Sequence, residues 1–239
     1  MASDVVDLRD FYRGALGQVA RRMIRRAIQR VWPDLRGMRL LGIGYATPFL
    51  SALAGDTERT IAVMPATLGV LRWPSEGGNL VTLAEEGELP FADYSIDRVV
   101  LVHAIETSDE VRAMLKEIWR VLAGGGRVLV VAPNRRGIWA RLDRTPFGSG
   151  RPYTMSQLSQ LLRDEQFTPV GSDTALFIPP ATSRVMLRSA AAWERIGKRW
   201  FPTFAGVLMV EATKQIYAKP AAARAPRRRL VYTPAPHRL

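Results

Sequence analysis

Short apolar runs of strand length alternate with longer stretches of helical spacing along most of the chain, and that alternation restricts the fold more than any other feature. Arg39-Leu40-Leu41-Gly42-Ile43 leads into a Gly/Ala/Pro turn. Thr60 to Met64, Leu80 to Leu83 and Arg98 to Val102 follow, and Arg127 to Ala132 is the strongest run. A helix is expected across Asp109 to Leu122, with Gly124-Gly125-Gly126 as a tight turn into the strand that follows. Strands separated by helices join through right-handed crossovers, so the pattern predicts a doubly wound α/β sheet with helices on both faces.

The segments around this centre are also readable. Val5 to Val31 carries apolar residues at three-to-four spacing with arginines between them, which predicts an amphipathic helical segment interrupted near Gly14 and Gly17. Trp32-Pro33 and Arg36-Gly37 end it. Pro133 to Pro152 reads as a long Gly/Pro/Arg loop, a helix is expected at Thr154 to Glu165 and a strand around Pro169 to Ile178. An arginine-rich helix near Ser183 to Trp200 precedes a last strand, Gly206 to Thr213. The expected organisation is an N-terminal helical segment (1–37) packed on one domain (38–219), with 133–153 as a lid or docking loop and 220–239 as a basic flexible tail.

Composition removes several chemistries. There is no cysteine, which excludes disulfides and thiolate metal sites. The two histidines, His103 and His237, are far apart in the chain, so a His-type metal cluster or a Ser-His-Asp triad lacks raw material, and no metal is expected. No window approaches the roughly 18 to 20 apolar residues of a membrane span. Asp4, Asp7 and Asp10 make the N-terminus unlike a signal peptide, so a soluble, cytoplasmic protein is expected. Thirty-four Lys+Arg against twenty-two Asp+Glu give a net charge of +12. That balance fits either an acidic partner or the ordinary surface of an arginine-rich chain.

Several motifs fall in register with one known family. Leu40 to Pro48 occupies the place of a first strand-turn motif, and Glu85 to Val102 (EEGELPFADYSIDRVVLV) resembles an acidic-LPF-x-D-x-S-F-D strand-four region. His103-Ala104-Ile105-Glu106 resembles the H-x-L-E that follows it, and Leu115 to Asn134 (LKEIWRVLAGGGRVLVVAPN) is similar to an L-x-E-x-x-R-V-L-x-P-G-G strand-five region. Together they resemble the class I S-adenosylmethionine-dependent methyltransferases of the ubiquinone/menaquinone type. The resemblance implies a Rossmann-like, seven-stranded methyltransferase sheet and S-adenosylmethionine as cofactor. It places Gly42, Gly44, Tyr45, Ala46, Met64, Pro65, Glu85, Glu86 and His103 at cofactor-contacting positions. His103, at the exit of strand four, is the candidate catalytic residue: a histidine there can act as a base near neutral pH, or cap the following helix.

The same alignment shows departures. Gly42 stands where the family's first motif has its acid, Ala46 and Pro48 stand where it has later glycines, and Met64 replaces the ribose-binding carboxylate. A thioether is a weak acceptor. The leading reading is therefore an S-adenosylmethionine-dependent methyltransferase of unknown substrate, and the alternative is a catalytically silent, methyltransferase-shaped subunit acting on a partner protein. Asn134, Arg135, Arg136, Trp139, Arg151 and Tyr153 combine cations, an amide and aromatic rings, which suits a lid over a small-molecule substrate and a protein-docking loop equally. Arg21-Arg22-Met23-Ile24-Arg25-Arg26 and Arg227-Arg228-Arg229 offer contacts to nucleic acid or an anionic membrane, but a solvated helix face and a plain tail are the favoured readings.

Overall fold

The computed structural model describes residues 4–215. In chain order the elements are α1 (Val5–Arg13), α2 (Ala15–Val31), β1 (Arg39–Gly44), α3 (Thr47–Leu50), β2 (Arg59–Pro65), β3 (Val81–Ala84), β4 (Ile96–Val102), α4 (Val111–Val121) and β5 (Leu122–Pro133). Then come α5 (Met155–Asp164), β6 (Phe167–Ala175), α6 (Arg184–Arg188), α7 (Ala190–Trp200) and β7 (Val207–Lys214). The expected tail, 220–239, and His237 lie outside the described residues.

The strands form one sheet in the order β3-β2-β1-β4-β5-β7-β6. Neighbouring pairs from β3 through β5 are parallel, and β7 runs antiparallel between β5 and β6. Strand order reverses beside β1, which puts a crevice at the carboxyl ends of β1 and β4. Successive side chains of a strand point to opposite faces. Leu40, Val100, Leu129 and Val131 therefore pack on one side with α1 and α2, while Leu41, Val99, Val128 and Val130 pack on the other with α4 and α5. This two-sided burial explains why the central strands read as unbroken apolar runs.

Local chemistry fixes several boundaries. Asp4 Oδ1 accepts hydrogen bonds from the amides of Val6 and Asp7, both at 2.8 Å, and caps α1. Gly14 then takes an extended conformation and turns the chain into α2, where a Cβ on Gly17 would stand 1.9 Å from the Phe11 carbonyl oxygen. The helical segment is thus two helices in close contact, broken at the first of the two expected glycines. Thr154 and Gln157 form a reciprocal capping box at the start of α5.

Three elements differ from the sequence expectation. Gly124 to Gly126 lie within β5 instead of forming a separate turn, because β5 begins at Leu122 opposite Ile96 and absorbs a register shift before Arg98 pairs with Arg127. The expected helix near Ser183 to Trp200 is two helices separated at Ser189. Residues 133–153 carry two 3₁₀ turns, Trp139–Arg141 and Pro146–Gly148, whose Trp139 and Phe147 side chains are buried. No helix among the described residues is long and apolar enough to cross a membrane.

Candidate functional site: the closed crevice at the ends of β1, β2 and β4

At the end of β1 the glycines answer to the protein's own atoms. Gly44 has φ +81, and a Cβ there would meet the Val102 carbonyl oxygen at 2.4 Å. A Cβ on Gly42 would meet Leu50 Cδ1 at 2.7 Å and Ala46 Cβ at 2.8 Å. Both positions are small so that β4 and α3 can close on β1. The Tyr45 amide donates to the Val102 carbonyl at 2.8 Å, which fixes the turn, and Ala46 is fully buried.

Helix α1 lies over this end of the sheet and inserts Tyr12. Its ring stacks on Tyr45 with centroids 5.9 Å apart and planes at 20°, and meets Phe49 edge-on at 5.6 Å. The Tyr12 hydroxyl hydrogen-bonds with His103 Nε2 at 2.7 Å, and His103 Nδ1 lies 3.1 Å from Glu106 Oε1. All three side chains are buried, and Glu106 Oε2 has no hydrogen-bond partner. Burial, with the Glu106 carboxylate and Tyr45 adding to it, holds the Tyr12 phenol well above its ordinary value, so the hydroxyl stays protonated. His103 itself sits at φ +52, a left-handed conformation uncommon outside glycine. The Glu106 carbonyl accepts from the Arg151 amide at 2.8 Å, so one chain of contacts links α1, the exit of β4 and the segment after β5.

The other positions expected to contact the cofactor end β2 and follow β3. Met64 is fully buried, and its sulfur accepts from the Leu71 amide at 3.4 Å. Pro65 ends β2 beside Ala84, and its carbonyl accepts from the Leu68 amide at 2.9 Å. Leu68 in turn accepts from the Val5 amide at 3.0 Å, which ties the start of α1 to the same loop. Glu85 is exposed, and Glu86 accepts a hydrogen bond from the buried Ser108 hydroxyl. With Tyr12 docked these residues do not fit an adenosyl group. Tyr12 and His103 fill the position expected for the methionine end, and the position expected for the ribose acid holds a buried thioether already engaged by a backbone amide.

The loop residues gather elsewhere. Asn134 is buried, with Nδ2 donating to the carbonyls of Thr203 (2.8 Å) and Ala205 (2.7 Å). With Arg136, Arg163 and Ser159 it lines a cavity of about 710 Å³ between α5 and the antiparallel strands β6 and β7. Arg135 donates to the Pro152 carbonyl. Trp139 is buried and donates to the Ile178 carbonyl at 2.8 Å, so its ring packs in the core. Arg151 reaches Asp109 at 3.5 Å, and the Tyr153 hydroxyl donates to the Ile105 carbonyl. Among the described residues no His/Asp/Glu group is placed to hold a metal. The residue that sequence reasoning missed is Tyr12; its signal was an aromatic on the apolar stripe two positions before a helix-breaking glycine.

The strand order and the antiparallel β7 define a methyltransferase-type α/β domain. The chain superposes on an S-adenosylmethionine-dependent methyltransferase from Thermotoga maritima with a TM-score of 0.64 at 19% identity, covering 88% of this chain and 96% of that one. It superposes on another from Archaeoglobus fulgidus with a TM-score of 0.57 at 18% identity, covering 81% and 94%. A third is the Burkholderia thailandensis 1,6-didemethyltoxoflavin-N1-methyltransferase with bound 1,6-didemethyltoxoflavin and S-adenosylhomocysteine (TM-score 0.53, 17% identity, 87% and 82%). No curated protein matches the sequence. Residues 41–130 match the family model described as a methyltransferase domain. That match spans about two fifths of the chain, and with the superpositions it shows the fold of the class I S-adenosylmethionine-dependent methyltransferases.

Proposed function

We propose that this chain is an S-adenosylmethionine-dependent methyltransferase for a small-molecule acceptor, and that its cofactor crevice is closed by α1 until that helix lifts. The observation that carries the reading is the Tyr12–His103–Glu106 chain, placed at the carboxyl ends of β1 and β4 where open α/β sheets bind ligands. Gly14, between α1 and α2, is the hinge about which α1 swings. Undocking removes Tyr12 from Tyr45 and frees His103, which then faces the acceptor. The toxoflavin-type acceptor bound by the Burkholderia neighbour supports a small-molecule substrate. A cytoplasmic location is the reading that goes with it.

A second reading has its own observation. Met64 already satisfies the Leu71 amide, so the loop after β2 is stable without any ribose acid. That favours a silent subunit that acts on a partner protein. Calorimetric titration of the intact chain and of Tyr12→Ala with S-adenosylhomocysteine separates the two. Saturable binding that tightens in the variant supports the gated enzyme, and no heat from either protein up to millimolar ligand leaves the silent subunit.

A further inference from the structure

A second cleft lies on the outer side of Tyr12. It runs between α1, the start of α2 and the segment around residues 71–75, and its volume is about 600 Å³. Cavities of this order hold small molecules. Arg9, Arg13, Arg21 and Arg72 line it, and no carboxylate does. Asp10 pairs with Arg9 at 2.9 Å from a largely exposed position and pulls on Arg13 only at longer range. Arg72 donates to the Gly77 carbonyl at 2.6 Å. The Arg13 and Arg21 side chains form no hydrogen bond or ion pair among the described residues.

The walls between these cations are aromatic. Tyr45 and Trp73 both line the cleft, and the Trp73 indole is steadied by a hydrogen bond to the Ser51 hydroxyl at 3.3 Å. The Tyr45 phenol is raised by burial while Arg9 and Arg13 pull it back, which puts both guanidinium groups within electrostatic reach of its hydroxyl. Guanidinium forks match phosphate oxygens in pairs, and flat rings stack on Tyr and Trp. Asp10 balances Arg9, and Arg13, Arg21 and Arg72 line the cavity with no carboxylate among its walls, so a multiply charged anion is attracted there.

We infer that this cleft is a binding site for a small polyanion, a phosphate or diphosphate ester with a flat ring. The phosphate groups sit on Arg13 and Arg21, and the ring lies against Tyr45 or Trp73. Tyr12 and Tyr45 line both this cleft and the closed crevice, and Arg9 and Arg13 belong to α1, so the site is complete only while α1 is docked.

The test titrates the intact chain with inorganic pyrophosphate and with adenosine diphosphate at low salt. Three variants accompany it: Arg13→Ala/Arg21→Ala, Arg13→Lys/Arg21→Lys, and the control Arg22→Ala/Arg26→Ala, which removes exposed arginines of α2 outside the cleft. The expected result is saturable 1:1 binding of both probes, tighter for adenosine diphosphate. The alanine pair should weaken it at least tenfold, the lysine pair less, and the control under twofold, with unfolding midpoints unchanged. Absence of binding overturns the inference. So does an equal loss in the control, which would show bulk charge at work. Tighter binding of single-stranded RNA, with all three variants weakened alike, would assign the arginines to nucleic acid and also overturn it.

Discussion

Replacing Tyr12 by Phe removes one oxygen from the closed crevice and keeps the ring. The stacking on Tyr45 and the edge contact with Phe49 remain, so α1 still docks. What is lost is the 2.7 Å hydrogen bond that satisfies His103 Nε2 at a buried position. Leaving a buried polar group unpaired costs about 1–3 kcal/mol. In the proposed open state His103 would reach solvent, so the cost falls on the closed state alone. The open population then rises about 5- to 150-fold, at about 1.4 kcal/mol per tenfold. While the closed form dominates, the apparent Kd for a ligand that binds only the open form falls by the same factor. Calorimetry with S-adenosylhomocysteine reads this directly, and thermal unfolding checks the stability cost. A purely structural Tyr12 gives the opposite pattern: a lower unfolding midpoint with affinity unchanged or weakened would refute the gating argument.

Other predictions follow from the same geometry. Gly44→Ala forces a Cβ against the Val102 carbonyl in a left-handed conformation; urea unfolding should show a loss of about 1–3 kcal/mol from overpacking and about 1–2 kcal/mol from the backbone. Met64→Asp places an unpaired carboxylate at a fully buried position, so the unfolding free energy should fall by several kcal/mol, on the order of the burial penalty of one ion, without tighter S-adenosylhomocysteine binding; a tenfold gain in affinity would instead show an ordinary ribose site lacking only its acid. The Arg39 guanidinium holds the Asp97 carboxyl below its usual range, and Arg120 does the same for Glu117. Both are depressed in the folded state, so their stabilisation is fully present above about pH 4 to 4.5 and is lost as pH falls through the lowered values. Urea midpoints measured from pH 6 down to pH 2.5 should decline in that window, and less steeply in Asp97→Asn.

The sheet was legible because its chemistry is local and periodic. Runs such as Arg98 to Val102 and Arg127 to Ala132 are apolar at every position only when both faces are covered, and both are. Gly124 to Gly126 misled because three glycines read as a turn, whereas the partner strand accommodates them through a register shift opposite Ile96. The strand and turn of the first motif were readable, yet what packs against them was not. Tyr12 and His103 are separated by 91 residues, and nothing in the local sequence of either specifies their contact. Trp139 shows the same limit: as sequence it is an aromatic in an arginine-rich loop, and only the fold reveals the Ile178 carbonyl that holds it in the core. The arginine cleft escaped notice because Arg9, Arg13 and Arg21 read as solvated helix positions until residues 71–75 are brought opposite them.

The measurement that bears most directly on the central claim is backbone hydrogen exchange in the intact chain with and without saturating S-adenosylhomocysteine. A cofactor that enters only when α1 lifts must speed exchange at Val5–Arg13, while amides of β5 keep or gain protection from ligand binding. Binding that slows exchange in α1 would mean that the helix closes on the cofactor and does not exclude it. Failure of the ligand to change exchange anywhere, in the intact chain and in Tyr12→Ala alike, would contradict the methyltransferase reading itself.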